Sequence, residues 1–257
     1  MKQSQFYYLL RRGLFSAGSA IIKNGLVMFN KFTTAGLNFP AQGSAEFNGT
    51  SDYIQLNDPF SHTNHTIAFW MYRNQTASGA NYGVFDQRDG GGDGIVIADN
   101  TSRQIIYAIN STSRTSTAIN SNEWVYVTAS YDGSTIKLYL NGSLDQSAST
   151  TQTVSTTTDA VIGSKSYSSS ANIPFNGNLA NVAIWNRALS SDEINSVMWK
   201  SYEGLTGTES NGLQAWYSLD DITSPAASLA NMEQLATDKD ATIENKAAIT
   251  AAINALS

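Results

Sequence analysis

The sequence contains no cysteine. That single absence removes a disulfide framework, a thiolate metal site and a cysteine nucleophile together, so stability has to come from core burial or from assembly. Charge is also scarce: 14% of residues are charged against 41% hydrophobic, with Ser, Thr, Asn and Gly abundant. This is how β surfaces look when hydroxyls and amides keep them soluble. Basic residues are in deficit, 15 against 21 acidic for a net charge of −6, and nucleic acid is therefore not an expected partner, because phosphate binding needs a Lys/Arg footprint that releases counterions. The close basic pair in an apolar setting is Arg11-Arg12. No stretch approaches the roughly 20 apolar residues that span a bilayer. The apolar run in Met1 to Lys23 is broken by Arg11 and Arg12 before it reaches signal-peptide length, and no small-residue cleavage site follows. An extracellular-looking chain without a recognised export signal fits a part of a virus particle, made in the cytoplasm and released by lysis.

What is present is a β pattern between two unusual ends. Length and apolar content suffice for one large core, and three regions are expected: an extension over residues 1–40, a sandwich over 41–224 and a helical tail over 225–257. The extension clusters Phe6, Tyr7, Tyr8 and Phe15 with Ile21, Ile22, Leu26, Val27 and Phe29, to be read as a strap on its own domain or as an anchor in a partner. From residue 44 the period is two. Ala45–Phe47, Tyr53–Leu56, Thr66–Tyr72, Ile95–Ile97, Gln104–Ile109, Trp124–Ser130, Ile136–Leu140, Ala160–Ile162 and Leu179–Trp185 read as short strands between turn residues. Asp132-Gly133 and Asn141-Gly142 mark tight reversals, and the alternation puts Ile136, Leu138 and Leu140 on one face with Lys137 and Tyr139 on the other. The expected class is all-β, a sandwich or jelly roll. Ser190-Ser191-Asp192-Glu193 forms a capping box for a helix with an Ile194, Val197, Met198 stripe, stopped at Gly204.

The succession Phe47-Asn48-Gly49-Thr50-Ser51-Asp52-Tyr53-Ile54, Thr66-Ile67-Ala68-Phe69-Trp70, Trp124 through Gly133, Leu138-Tyr139-Leu140-Asn141-Gly142, Ile162-Gly163, Phe175 through Trp185 and Ala188 through Ile194 resembles the laminin G-like, concanavalin A-like superfamily, pentraxin-type members included. The resemblance covers residues 44–204. It implies a concanavalin A-like jelly roll of two curved antiparallel sheets with a short helix after the last strands, and it places Trp70, Trp124 and Trp185 in the core. It leaves function open, since the superfamily holds lectins, adhesion modules, glycosidase relatives and virion appendages.

Glycosidase relatives on this fold carry an E-x-D-x-x-E strand, and none of the glutamates at 46, 123, 193, 203, 209, 233 and 244 starts one. No Gly-x-Ser-x-Gly elbow or P-loop is present, and the chain is expected not to be an enzyme. His62 and His65 belong to a polar stretch expected to be a solvated loop. Calcium is the one cofactor for which the sequence offers candidate ligands. The pentraxin-type position reads Ser164-Lys165-Ser166-Tyr167, a cation where anions are required, whereas Asp86, Asp89 and Asp93 in a glycine-rich stretch are candidate calcium ligands or a plain hairpin, with Asp220-Asp221 as a further acidic pair. Tyr82, Tyr107, Tyr139 and Tyr167 are candidate ligand-binding aromatics on turns or outward faces.

Residues 211–220 resemble the strand that usually opens the domain, so they fill that slot as a permuted last strand or add to a neighbouring copy. The tail carries Leu229, Met232 and Leu235, then Ile249, Ile253 and Leu256 at helical spacing. The leading functional expectation is a non-enzymatic, surface-displayed structural or adhesion protein of a virion, such as a capsid decoration, head fibre or tail appendage. In that reading Phe6, Tyr7, Tyr8, Arg11, Arg12, Phe15, Ile249, Ile253 and Leu256 serve assembly with virion proteins or with copies of the chain, on a virion surface or outside the cell. The alternatives are a secreted bacterial carbohydrate-binding lectin module, with a cell-surface glycan as partner, and a glycoside hydrolase relative.

Overall fold

A computed structural model describes residues 21–23, 26–28, 43–56, 63–74, 81–89, 92–154, 158–165 and 173–219. The chain divides into two compact units, Met1–Phe39 and Pro40–Ser257. In the first, β1 (Ile21–Lys23) pairs antiparallel with β2 (Leu26–Met28), Ile22 opposite Val27. Phe6, Tyr7, Tyr8, Arg11, Arg12 and Phe15 lie outside the described residues, as do Tyr167, Asp220, Asp221, Ile249, Ile253 and Leu256.

The second unit is a sandwich of two antiparallel sheets. One has the order β12 (Ser143–Ser149), β11 (Thr135–Leu140), β10 (Trp124–Tyr131), β5 (His65–Arg73), β14 (Asn176–Trp185), β15 (Leu213–Tyr217), with β3 (Ala45–Asn48) also on β14. The other has the order β4 (Ile54–Gln55), β13 (Val161–Ile162), β6 (Tyr82–Arg88), β7 (Gly94–Asp99), β8 (Gln104–Ile109), β9 (Thr112–Ala118). Alternation decides what lies between the sheets. Ile67, Phe69 and Met71 of β5, Val125, Val127 and Ala129 of β10, Ile136 and Leu138 of β11, and Ile95 and Ile97 of β7 all enter one buried cluster, and each large aliphatic so buried contributes about 1.5–3 kcal/mol. The intervening residues face outward.

The expected turns form as their residues require. Asn141 and Gly142 both take positive φ, 50° and 78°, the backbone that closes a two-residue hairpin between β11 and β12. Asp132 Oδ1 accepts from the Ser134 and Thr135 amides at 3.0 and 2.8 Å ahead of β11.

Strand β14 carries two neighbours on one edge. Its Asn176–Leu179 half pairs with β3 and its Val182–Trp185 half with β15. The join is a bulge between Ala180 and Ala183, where Asn181 takes a φ of 48° and its amide donates to Ser218 O at 3.0 Å. Of the two roles open to residues 211–220 in the sequence, this chain uses the strand within its own sheet.

Three described strands of the second unit, β6, β9 and β12, were not anticipated, and their composition is the reason. β9 reads TSRTSTA and β12 reads SLDQSAS, edge strands whose hydroxyls carry no apolar alternation. β6, YGVFDQR, holds its buried residues in an unbroken run interrupted by a bulge between Gly83 and Phe85. The helix also differs: α1 spans Ser191–Val197 and ends at Met198, well before Gly204. The Met198 carbonyl accepts instead from Trp70 Nε1 at 3.1 Å, and a separate 3-10 turn occupies Tyr202–Gly204.

Candidate functional site

The outward face of the seven-stranded sheet has two parts, one buried and one partly exposed. The buried part lies beneath α1 and the segment after it. Trp70, Trp185 and Trp216 are buried there, with Trp70 Nε1 bound to Met198 O, Trp185 Nε1 to Glu209 O at 2.7 Å, and Trp185 edge-on to Trp216 at 6.3 Å. Trp70 and Trp185 are therefore buried as the family resemblance implies, but in a small second core outside the sandwich. Tyr139 shares this outward parity and is buried rather than exposed, with 6% accessibility, which corrects its candidacy as a ligand platform.

In the partly exposed part, cross-strand register aligns four outward side chains. Glu46 of β3 stands opposite Asn178 of β14, Asn178 opposite Tyr72 of β5, and Tyr72 opposite Trp124 of β10. Each is flanked by core residues, namely Ala45 and Phe47, Leu179, Met71, and Val125, so all four project from the same face. Glu46 is exposed and the other three half-buried. The Tyr72 and Trp124 rings lie 5.6 Å apart at 56°, and Asn178 Nδ2 donates to Ser44 Oγ at 3.2 Å. One step along β5, the Trp70 ring carries Trp199 at 5.4 Å, and Trp199 is 61% exposed. Trp124, expected in the core, is thus an outward residue. The signal that finds it is parity: Val125 and Val127 enter the core, so Trp124 cannot. Tyr72, Asn178, Glu46 and Trp199 were not identified from sequence, because the line exists only through pairing of four strands far apart in the chain.

The outward face of the six-stranded sheet is different in kind. Val96, Ala98 and Ala108 form a small apolar floor with Ile106 packed against it. Beside it Asp86 is buried, and Arg88 clasps its carboxylate with Nε at 3.1 Å and Nη2 at 2.6 Å, while the Arg88 amide donates at 3.0 Å. Burial and the Arg88 guanidinium push the neighbouring Lys165 ammonium down to about 8, against the pull of Asp86. Asp86 and Arg88 thus form a compact buried ion pair with the Lys165 charge beside it.

This geometry corrects the calcium expectation. Asp86 lies within β6 and is neutralised by Arg88, and Asp89 Oδ1 accepts the Asp93 amide at 2.9 Å as a turn contact. Among the described residues no group of three His, Cys, Asp or Glu side chains is arranged to hold a metal ion. Tyr107 is corrected as well: it is 0% exposed in the sandwich core, its hydroxyl 2.8 Å from His65 Nε2, and burial pushes its phenol well above the ordinary range. His65 is likewise no solvated loop residue but the buried first residue of β5. Tyr82 opens β6 and is half-buried.

The carboxylates packed around α1 hold structure. Hydrogen bonds from Arg187, at 3.0 and 2.6 Å, keep Glu193 down at about 2 against the cost of burial, with Ser190 assisting. Glu209 is also held at about 2: hydrogen bonds from Lys200, Ser196 and Thr206 together outweigh the burial that opposes them. No helix among the described residues is long and apolar enough to cross a membrane.

Residues 48–195 match the Laminin_G_3 family, described as the Concanavalin A-like lectin/glucanases superfamily. A search of curated proteins finds no match. Among solved structures, the chain is similar to a Bacteroides ovatus protein proposed to bind carbohydrate (16% identity, TM-score 0.58, 72% of this chain and 53% of that one). It also resembles the CBM40 of a Ruminococcus gnavus IT-sialidase (15% identity, TM-score 0.52, 63% and 100%). A third is a heptameric SAP-like pentraxin of Limulus polyphemus (14% identity, TM-score 0.50, 63% and 84%). The chain spans about half the length of the Bacteroides ovatus protein, and at these identities the likeness is one of fold. With more than half of its 257 residues matched by the family and both sheets in place, this chain belongs to the concanavalin A-like lectin/glucanase superfamily.

Proposed function

We propose that this chain is a non-catalytic carbohydrate-binding module acting at an extracellular or surface-displayed location. The observation that carries the reading is the partly exposed line Glu46, Asn178, Tyr72, Trp124 on the seven-stranded sheet. A sugar ring offers one face of C–H groups and a rim of hydroxyls. Aromatic rings stack on such a face, and a few placed amides and carboxylates fix the hydroxyls, which is how small-molecule sites combine apolar area with convergent polar groups. Hydrolysis is disfavoured because a glycosidase needs two carboxyl groups roughly 5–9.5 Å apart, and the line holds Glu46 alone. Relatives named for carbohydrate binding are consistent with this reading. The virion-component reading drawn from the composition and the ends gains no comparable support, so the glycan-binding alternative takes its place.

A glycan microarray followed by calorimetry tests the proposal. Wild-type protein is expected to bind at least one glycan class without releasing product. Tyr72→Ala and Trp124→Ala are each expected to lower affinity about tenfold, near 1.4 kcal/mol, with circular dichroism unchanged because both side chains are half-exposed. Binding that survives the double substitution intact refutes the location; silence across a broad array refutes the function.

A further inference from the structure

We infer that the ligand of this face is a neutral, extended glycan laid across the strands, an inference that rests on the glycan-binding reading above. The first argument is length. Glu46, Asn178, Tyr72 and Trp124 stand on four adjacent strands, and three inter-strand steps of about 4.8 Å make the line about 14 Å long. That exceeds one sugar ring and matches a short chain of them.

Direction follows from what bounds the line. One step along β5 and β10 lie Trp70 and Tyr126, both buried, with Trp199 standing over Trp70. A chain running along the strands would collide with this wall, whereas a chain running across them passes it. On the other side Asn176 of β14 faces Asn48 of β3, and the Asn48 side chain is occupied in its own turn, accepting from the Thr50 and Ser51 amides at 2.8 and 2.9 Å and donating to Asp52 at 2.8 Å. The Tyr72 and Trp124 rings meet at 56°, so a flat ribbon cannot rest on both. A soluble chain whose successive rings rotate can.

Charge selects among glycans. The carboxylate in the line, Glu46, is exposed and accepts hydroxyl protons in charge-assisted hydrogen bonds, about twice as strong as neutral ones. Among the described residues, several cations are already committed to carboxylates and so are less available to an acidic sugar. Lys137 is paired with Asp132 at 3.3 Å, Arg187 with Glu193 at 2.6 Å and Lys200 with Glu209 at 2.6 Å. Arg73, next to Tyr72, is turned to the opposite side and held by Asp99 at 2.6 Å. A uronate or sialate would meet Glu46 as a like charge.

The test is calorimetry of the full chain with neutral xylose-, glucose- and mannose-based oligosaccharides of one to six rings, against sialyllactose and hexagalacturonate. For at least one neutral series, affinity should rise about tenfold or more between one ring and four and then level off. The acidic probes should bind at least tenfold more weakly than the best neutral chain. Glu46→Gln should narrow that gap by weakening the neutral chain and strengthening the acidic one, a change of preference that lost folding would not produce. Trp199→Ala, at an exposed position, should weaken the longer chains more than the single ring. Preference for acidic probes, or equal affinity for one ring and six, overturns the inference while leaving glycan binding in place. Failure of every probe, with none found by microarray, overturns both.

Discussion

At Asp99 two physical effects oppose each other, and burial wins. The carboxylate is 0% exposed and meets Arg73 Nε at 2.6 Å, yet its pKa is raised from 3.8 to about 6, because desolvation outweighs the coulombic and hydrogen-bonding help of Arg73. The folded state therefore binds more protons than the unfolded one between pH 4 and 6, and this group's contribution to stability is full below about pH 4 and lost as pH rises through 6. Asp99→Asn should be less stable, since it leaves Arg73 buried without its counter-charge, at a cost of about 3–5 kcal/mol. Its melting midpoint, measured from pH 4 to 7, should lack the downward slope expected of wild type over the same range. A parallel slope in both proteins would assign that dependence elsewhere. Asp86 is tested in the same way: Asp86→Asn strips the buried partner of Arg88 and should lower the midpoint by the same amount in calcium and in chelator, whereas a calcium ligand would lose stability only where calcium is present.

Among the elements, α1 shows how a helix of only seven residues is specified. Ser190 Oγ accepts the Glu193 amide at 3.2 Å, and Glu193 returns a carboxylate to the Ser190 amide at 2.8 Å while gripping Arg187. Ser190→Ala should cost about 0.5–2 kcal/mol by chemical denaturation. Because Glu193 and Glu209 are held near 2, below their ordinary 4.5, their stabilisation is present above pH 4.5 and should fade as pH falls toward 2. A Glu193→Gln variant should lose part of that acid sensitivity. This helix start was readable because its signal is local, four consecutive residues. So were the strands with alternating Val, Ile and aromatic residues, and the turns at Asp132-Gly133 and Asn141-Gly142. β9 and β12 were not, since edge strands of Ser and Thr satisfy the backbone ladder without an apolar face. The candidate site was unreadable for a different reason. Trp124 and Tyr72 were visible as letters, but their meeting with Asn178 and Glu46 depends on register between β3, β5, β10 and β14, and nothing local to any one strand encodes it.

For the whole molecule, the decisive feature is that the last described strand completes the sheet begun by the first strands of the sandwich. β15 covers the Val182–Trp185 edge of β14 that β3 leaves unpaired, and it brings Ala215 and Tyr217 into the main core and Trp216 into the second one. β15 thereby joins the two cores, as β5 and β14 also do. Deleting residues 211–219 should uncover the Val182–Trp185 hydrogen-bonding edge of β14 together with Trp185, and an exposed edge of that kind recruits other chains. Light scattering of the truncated protein should show association, with a melting midpoint well below that of the full chain. A peptide of residues 211–219 added in trans should suppress association by occupying the empty edge, as added strands do in other sheets. A truncated protein that stays monomeric and keeps its midpoint would mean that β3 and the bulge at Asn181 close the sheet by themselves.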